Sequence, residues 1–445
     1  MPTENTSSTQ PLDLESYFMG FTPNPLFKRQ PRLIESAKGS YLHSVEGARI
    51  FDGFSGLWCT GMGHSHPKVV EAVQKQVAKL DYVSAFYMSH PDAFRLTERI
   101  AGLAPEGLDH VFLTTGGSDA VDTALKLAVG YHRLKGEGTR TRLIGRERGY
   151  HGVGFGGISV GGMVGNRKMF SSVLLPGVDH LPHTHSLDHM AFSKGQPQWG
   201  AHLASELQRL VDLHDGSNIA AVIVEPMAGS TGVLVPPQGY LQELRRLCTQ
   251  HGILLIFDEV ICGFGRMGAN FGAERFGVTP DMITFAKTVT NGTQPLGGVI
   301  MTSQMYKTFM SVPELTSNFF HGYTYSAHPV AVAAGLAALD VLQEEGIVQQ
   351  VQAIEGVFEE MVHSLKGEPN VIDIRNVGLA GAVEFTPIPG QPGLRGHRIS
   401  EQLYEAGYYL RWSGDQVVFA PPFAVTADEL EGLTETLRRI IRANA

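Results

Sequence analysis

Cysteine is scarce in this sequence, which contains three in 445 residues. Cys59, Cys248 and Cys262 are too few for a disulfide framework, and their spacing matches neither a redox pair nor a zinc site. The first eleven residues are polar and lack the basic start and the apolar stretch of a signal peptide. We therefore expect a reduced, cytoplasmic protein.

Long apolar runs and an excess of positive charge are missing as well. No segment approaches the roughly 18 consecutive apolar residues that a membrane span needs. Lysine and arginine total 35 against 44 aspartates and glutamates. The net charge of −9 gives no electrostatic reason to expect nucleic acid or an anionic membrane as a partner. The length of the chain predicts two or more domains.

Short apolar runs alternate with helical patterns through the middle of the chain. Runs of this kind are typical of strands that are buried on both faces, as in a mostly parallel sheet covered by helices. The strand-like runs are residues 111–115, 220–224, 253–257, 282–286 and 297–301. Helical patterns include residues 121–132 and 203–213. The sequence therefore predicts an α/β fold.

The pattern changes near residue 329, where an alanine-rich helix leads into shorter elements. A last helix follows Asp428, and its C-terminal arginines complement the helix dipole. Its predicted inward positions are Leu430, Leu433, Leu437, Ile440 and Ile441. We predict a large domain over residues 66–328 and a smaller α+β domain over residues 329–445. Residues 1–65 are predicted to pack with the smaller domain.

One apolar strand runs directly into Asp258. Its carboxylate therefore lies at the carboxyl end of a strand, where open α/β sheets bind their ligands. An apolar strand that ends in Asp-Glu also resembles the magnesium-binding strand of nucleotide hydrolases. That interpretation needs a phosphate loop containing Gly-Lys, and this dipeptide occurs nowhere in the chain.

A second apolar strand ends in Lys287. A lysine at the end of a buried strand is costly to desolvate unless its ammonium group is paired or neutralised. A neutral lysine is a nucleophile suited to Schiff-base chemistry. By itself the pattern is also explained by a solvated lysine just beyond a strand.

The segment TTGGSDAVD predicts a strand, a tight glycine turn and a helix that begins at Ser118. Free N–H groups at such a helix start bind anions, and glycine lets a phosphate approach the backbone. Ordinary capping of the helix by Ser118 is the alternative.

Two further patterns are considered as a nicotinamide site and as a metal site. Residues 152–157 and 263–268 match the glycine spacing of dinucleotide loops, but neither has the full context of a nicotinamide site. Four histidines lie close together at positions 180, 183, 185 and 189, without the cysteine or glutamate partners of a typical zinc site. We expect packed or solvated histidines there and no metal.

Taken together, these elements resemble the class III (omega) aminotransferases, a branch of the fold type I enzymes that use pyridoxal 5′-phosphate (PLP). The motif sequences most resemble those of the omega-amino acid (β-alanine):pyruvate aminotransferases. The match follows chain order over nearly the whole sequence, and Asp258-Glu259-Val260 followed by GFGR and Lys287 is its most specific part. The segments that carry it are GGSDAVDTALKLA, RGYHG, VEPMAGSTGV, IFDEVICGFGRMG, FAKTVTNG, HGYTYSAHP and RWSGDQVVFAPP.

The resemblance implies a role for each residue around the cofactor ring. Lys287 would carry PLP as a Schiff base and then move the proton of the substrate. Asp258 would pair with the ring nitrogen, and Glu225 would orient that layer. Tyr150 would stack on one face of the ring and Val260 would pack against the other.

It also implies where the phosphate binds. Gly117 and Ser118 would hold it, with Thr324 reaching in from a neighbouring subunit. The active site would then lie at the interface of a homodimer, or of a tetramer built from dimers. Many members of the family have serine where this chain has Gly116, which removes one hydroxyl and leaves the backbone donors in place.

For the substrates, the resemblance implies that Arg411 grips a carboxylate, for which the guanidinium fork is suited. Trp58 and Phe86 would form apolar walls for an amine side chain. The expected reaction is ping-pong transfer of an amino group from an omega-amino acid such as β-alanine, or a related amine, to pyruvate. Related enzymes that act as aminomutases, racemases or decarboxylases leave another PLP reaction open. A nicotinamide oxidoreductase and a non-catalytic binding role are further alternatives.

Overall fold

A computed structural model describes residues 12–445 of the protein. The polar residues 1–11, on which the signal-peptide prediction rests, lie outside the described part. The strands are β1 (Ile34–Lys38), β2 (Tyr41–Ser44), β3 (Arg49–Asp52), β4 (His110–Thr114), β5 (Arg142–Arg146), β6 (Val178–Leu181), β7 (Ile219–Val224), β8 (Leu254–Asp258), β9 (Met282–Phe285), β10 (Gly297–Met301), β11 (Val371–Val377), β12 (Ala380–Phe385), β13 (Tyr408–Tyr409), β14 (Arg411–Trp412) and β15 (Gln416–Phe419).

Helices fill most of the chain between the strands. They are α1 (Asn24–Arg29), α2 (Ser55–Trp58), α3 (Pro67–Lys79), α4 (Pro91–Leu103), α5 (Gly117–Leu134), α6 (Phe155–Val160), α7 (Val164–Arg167), α8 (Leu187–Met190), α9 (Glu206–His214), α10 (Tyr240–His251), α11 (Gly272–Phe276), α12 (Ser303–Phe309), α13 (Pro329–Glu344), α14 (Ile347–His363), α15 (Leu394–Glu405) and α16 (Ala427–Ala443). Short 3-10 turns cover Ser171–Val173, Ala201–Ser205, Gly216–Asn218 and Lys287–Thr290.

A seven-stranded sheet forms the centre of the fold, with strand order β4-β10-β9-β8-β7-β5-β6. Every residue of β7, β8, β9 and β10 is buried, as expected for strands covered by helices on both faces. Most neighbours are parallel, and the prediction of an α/β fold with a mostly parallel sheet is confirmed. Strands β5 and β6 are not among the strand-like runs of the sequence.

Strand β10 departs from the parallel pattern, because it runs antiparallel to both β9 and β4. Its connection from β9 is the short segment 286–296, and a connection of this length does not hold the helical crossover that a parallel neighbour requires. Because β10 runs opposite to both of its neighbours, β4 and β9 point in the same direction. The carboxyl ends of β4, β5, β7, β8 and β9 therefore meet at one edge.

Two four-stranded sheets flank the centre. One has the order β11-β12-β15-β14, and the other has the order β1-β2-β3-β13. The second sheet joins the two ends of the chain, because Phe51 in β3 pairs in parallel with Tyr408 in β13. This pairing brings a strand of the N-terminal segment against a C-terminal strand, while the predicted domains and their boundaries at 65/66 and 328/329 stay a prediction.

Helix α16 closes the chain against these C-terminal elements. The five apolar positions predicted to face inward are all buried. Its start is fixed by a capping box, in which the Thr426 hydroxyl accepts from the Glu429 N–H and the Glu429 carboxylate accepts from the Thr426 N–H. Among residues 12–445, no helix is both long enough and apolar enough to span a membrane.

Candidate active site

The shared strand edge carries a cavity of about 560 Å³. Asp258 is the last residue of β8, Lys287 follows β9, and Glu225 follows β7. Because these strands run in the same direction, the three side chains lie at the same end of the sheet. The residues predicted from sequence that line this cavity are Trp58, Gly117, Ser118, Tyr150, Glu225, Asp258, Val260, Lys287 and Arg411.

Phe86 and Thr324 are not among the lining residues of this cavity within one chain. Phe86 is half exposed, and its ring lies beside Gly322, where an added Cβ would come within 2.8 Å of the ring. Thr324 is exposed, and its carbonyl oxygen accepts a hydrogen bond of 3.0 Å from the Tyr82 hydroxyl. The two residues therefore belong to one surface region outside the cavity.

Lys287 has a constrained backbone and a desolvated amine. Its φ of +55° lies in the left-handed region, which is costly for a residue with a side chain and is often found at functional sites. The following turn is fixed by Asn291, whose side chain accepts from the Met62 N–H at 2.9 Å and donates to the Gly63 carbonyl at 2.7 Å. Burial lowers the pKa of Lys287 below its ordinary value, against the opposing influence of Cys59 and Asp258.

Asp258 is buried and held through both of its oxygens. His151 Nδ1 donates to Oδ2 at 2.8 Å, and the Thr284 hydroxyl donates to Oδ1 at 3.1 Å. The Val260 N–H also donates to Oδ1, at 3.2 Å. Because an ionised carboxylate only accepts, the proton of this pair belongs on His151 Nδ1. The carboxylate is thereby fixed in orientation beside the cavity.

Glu225 positions the loop that carries Tyr150. One oxygen of its buried carboxyl accepts from the Tyr150 N–H at 2.9 Å, and the other accepts from the Gly229 N–H at 3.2 Å. Burial raises the pKa of Glu225, with His151 opposing this and Asp258 adding to it. The backbone carbonyl of Glu225 accepts from Arg146 Nη2 at 2.9 Å, which anchors the same corner from the neighbouring strand.

The N-terminus of α5 faces the cavity through Gly117 and Ser118. A Cβ on Gly117 would lie 3.0 Å from a methyl group of Val260, so a side chain there would crowd the cavity wall. A Cβ on Gly152 would lie 2.6 Å from the Ser118 hydroxyl oxygen. Small residues thus keep the helix start close to its surroundings, and its free N–H groups and dipole favour an anion.

The two glycine runs considered as dinucleotide loops have packing roles. In residues 152–157, the Gly157 N–H donates to Asp122 Oδ1 at 2.8 Å, which packs the run against α5. In residues 263–268, Gly265 and Gly268 have positive φ values of 103° and 68° and form a tight turn. Their spacing is therefore explained by backbone geometry and close packing.

The histidine group spreads over several separate contacts. His189 stacks on Trp199 at 4.6 Å between ring centroids. His185, Asp373 and Glu384 place ligand atoms within 4.8 Å of one another. The guanidinium of Arg375 already bonds both carboxylates, at 2.6 Å for Glu384, and supplies the positive charge that a metal ion would bring. These contacts pack His185 and His189 against other side chains, and the expectation that no metal binds there stays a prediction.

Sequence reasoning missed several residues of the site. His151 and Thr284 orient Asp258, yet only their neighbours were assigned roles. A signal existed for both, because His151 lies in the RGYHG motif and Thr284 is the one polar residue of β9. Other lining residues without an assigned role include Leu57, Met163, Asn166, Ser230, Ile261, Tyr409 and Trp412.

The donor set fits a flat, anionic heteroaromatic cofactor. It combines an amine with a lowered pKa, a buried carboxylate fixed by two side-chain donors, an aromatic side chain and the N-terminus of a long helix. These groups match the aldehyde, ring nitrogen, ring face and phosphate of PLP. Fold and site together define a fold type I PLP-dependent enzyme.

The chain belongs to the class-III aminotransferase family, whose model matches residues 27–441. It is 52% identical over 429 residues to the omega-aminotransferase of Caulobacter vibrioides, covering 96% of this chain and 98% of that protein. It is also 52% identical to the beta-alanine–pyruvate aminotransferase of Pseudomonas aeruginosa, covering 96% and 95%. Among solved structures, the omega transaminase of Pseudomonas jessenii in complex with PMP matches with a TM-score of 0.92 and 30% identity, covering 97% of each chain. The protein is therefore a PLP-dependent aminotransferase.

Proposed function

We propose that this aminotransferase moves an amino group from an omega-amino acid such as β-alanine, or from a related amine, to pyruvate. The observation that carries the proposal is the cavity itself, which joins Lys287 and Asp258 to Arg411 and to the wall of Trp58. The proposal is supported by 52% identity to the beta-alanine–pyruvate aminotransferase of Pseudomonas aeruginosa. The expected products are alanine and an aldehyde or ketone.

Arg411 is the group that we assign to carboxylate recognition. It lies in β14, which pairs with β15 through Arg411 and Val418, so a strand fixes its backbone at the cavity. Its planar fork can bind the carboxylate of pyruvate, or of β-alanine, with two parallel hydrogen bonds. Trp58, only 2% exposed, supplies a rigid apolar surface for the rest of the substrate.

Lys287 is the group that we assign to proton transfer. When bound, PLP supplies an electron-withdrawing ring that stabilises negative charge on the substrate carbon next to nitrogen. Burial lowers the pKa of Lys287 and so favours its neutral amine, and a neutral Nζ can accept a proton from that carbon and return it. The fixed backbone of the 287–291 turn holds Nζ at the cavity floor, the end of the cavity that Glu225, Asp258 and Lys287 form.

The remaining floor residues orient the cofactor in this proposal. Asp258, fixed by His151 and Thr284, would pair with the ring nitrogen, and Glu225 fixes the backbone of Tyr150. Tyr150 and Val260 would hold the ring between them. Gly117 and Ser118 at the start of α5 bind the phosphate, which gains from the helix dipole.

We also propose that the working form is a homodimer. Phe86 and Thr324 are the predicted site residues that do not line the cavity. Large apolar side chains are exposed at and near them in sequence, with Phe86 at 50%, Tyr87 at 106% and Phe320 at 98% exposure. Exposed aromatic groups of this size favour burial against another surface. A second copy would bring Thr324 and Phe86 to the cavity of its partner and complete the phosphate site and the apolar wall.

The test is the visible absorbance of the purified, PLP-loaded protein. Addition of β-alanine without an acceptor is expected to bleach the visible band, and addition of pyruvate is expected to restore it and to yield alanine. A band that β-alanine and a panel of other amines leave unchanged would refute the proposed transfer. If the band bleaches but pyruvate yields no alanine, the amino group goes to an acceptor other than pyruvate, and the proposed acceptor is refuted.

A further inference from the structure

One part of the cavity comes from a segment far from the rest in sequence. Gly20, Phe21 and Thr22 line it together with Trp58, Lys287 and Arg411. Phe21 is 73% exposed, so its ring lies at the mouth of the cavity. Its φ of +53° is in the left-handed region, which is unfavourable for an aromatic residue unless other contacts hold it.

Asn24, at the start of α1, supplies those contacts. Its side-chain oxygen accepts from the Met19 N–H at 3.0 Å. Its side-chain nitrogen donates to the Met19 carbonyl and to the Thr22 carbonyl, both at 2.9 Å. The Thr22 hydroxyl in turn donates to the Gly20 carbonyl at 2.9 Å. One amide thus closes residues 19–24 into a small loop with Phe21 at its tip.

Ion pairs hold the chain around this loop. An ion pair of 3.2 Å between Glu15 and Lys28 links the chain before the loop to α1 after it. After it, Arg32 forms an ion pair of 2.7 Å with Glu401 in α15 and lies 3.9 Å above the ring of Tyr404. The loop is therefore attached at one end to the C-terminal elements, and its tip lies at the mouth of the cavity.

We propose that Asn24 is a positioning residue for donor binding, which ties residues 19–22 into a strap that holds Phe21 across the cavity mouth. This inference rests on the proposed transamination. Asn24 does not line the cavity, so its effect passes through the strap. Loss of the amide leaves three backbone groups of the strap without their partners and lets Phe21 leave the left-handed region.

The experiment compares Asn24→Ala, Phe21→Ala and the double variant with the parent, all loaded with PLP. A matched control is Asn218→Ala, which removes one side-chain hydrogen bond of 2.9 Å to the His214 carbonyl and does not line the cavity. Steady-state KM and kcat are measured for β-alanine and for 1-phenylethylamine with pyruvate saturating. Trypsin cleavage after Lys28 and Arg29 reports on the strap without reference to activity.

Asn24→Ala is expected to raise KM for both donors about tenfold, with kcat within about twofold of the parent. Since Asn24 acts through Phe21, the double variant is expected to match Phe21→Ala rather than the product of the two single effects. Asn24→Ala should also be cleaved faster after Lys28 or Arg29, at an unchanged melting temperature, while Asn218→Ala behaves as the parent.

Unchanged KM values, or effects of the two single variants that multiply in the double variant, would overturn the role of Asn24. A parent enzyme that fails to react with any amine would overturn the proposed function instead. In that case the strap is judged by trypsin alone, and equal cleavage rates of Asn24→Ala and Asn218→Ala would refute it.

Discussion

The floor of the cavity and the surface region around Phe86 are built in opposite ways. On the floor, Asp258 and Glu225 are buried, and their carboxyl oxygens accept hydrogen bonds from defined donors. In the surface region, Phe86 is half exposed and Thr324 is exposed. One chain therefore supplies all of the floor residues, whereas in our proposal the phosphate site and the apolar wall are completed by Thr324 and Phe86 of a second copy.

The largest loss of activity is expected from replacing Lys287, whose amine lies at the cavity floor. Lys287→Met keeps the length of the side chain and removes the group that carries the proton, so the rate of amine-driven bleaching should fall about 10³-fold or more. The measurement is single-turnover absorbance with β-alanine. Lys75→Met is the matched control, because Lys75 is exposed in α3 and pairs with Glu71 on the surface. Retention of a tenth of the parent rate by Lys287→Met would contradict the assignment.

Substitutions at Asp258 and at Thr284 separate the effect of the carboxylate charge from the effect of its orientation. Asp258→Asn preserves shape and removes the negative charge, so kcat should fall about 10²- to 10³-fold. Thr284→Val keeps the charge and removes one hydrogen bond to Oδ1, so kcat should fall about fivefold. Asp188→Asn, at an exposed position of α8, serves as the control. An Asp258→Asn enzyme as active as Thr284→Val would show that the charge is not used.

The surface region is tested by adding charge to it. Tyr87→Glu places a carboxylate at a fully exposed apolar position, and burial of that charge in an interface would be costly. Analytical ultracentrifugation is expected to show a dimer for the parent and a monomer for the variant. The activity of the variant is expected to be lower than that of the parent by about tenfold or more. The control is Leu213→Glu, at another exposed apolar residue, in α9. A monomeric parent, or a dimeric Tyr87→Glu, would contradict the proposed assembly.

The smallest effect is expected far from both regions, at the ion pairs of α16. Glu368 binds Arg442 and Arg438, and these hydrogen bonds lower the pKa of its carboxyl to about 2. Glu368→Gln should reduce the free energy of unfolding by about 1 kcal/mol at neutral pH and leave kcat unchanged. The pKa of Glu368 is lower in the folded protein than in the unfolded chain. The stabilisation is therefore complete above the pKa of the unfolded chain and is lost as the pH falls through the pKa of the folded protein.

Urea unfolding of the parent and of Glu368→Gln at pH 7 and near pH 3 checks this expectation. The difference between the two proteins should shrink at the lower pH. A constant difference would mean that packing rather than charge carries the effect.

The floor was predictable because its signals are local in sequence. Asp258 and Lys287 each follow an apolar run, and Ser118 follows a glycine turn, so strand direction alone brings them to one edge. The resemblance to a family implies their roles from the sequence alone. The position of each residue in its strand or helix agrees with those assignments, while the roles themselves stay a prediction.

Contacts between distant segments were not predictable in the same way. His151 and Asp258 are 107 residues apart, and their hydrogen bond depends on how two strand ends pack side by side. The contribution of Phe21 depends on a loop whose shape is set by the amide of Asn24. The reversed direction of β10 follows from a short connection that apolar patterning does not reveal. Tertiary geometry, rather than residue type, decides each of these features.

The most direct test of the central role of Lys287 is to reduce the PLP-loaded protein with borohydride and to locate the modified residue by peptide mass spectrometry. We expect the cofactor on Lys287, and we expect prior incubation with β-alanine to remove this label. A label on another lysine, or a label on Lys287 that neither β-alanine nor other amines remove, would contradict that role.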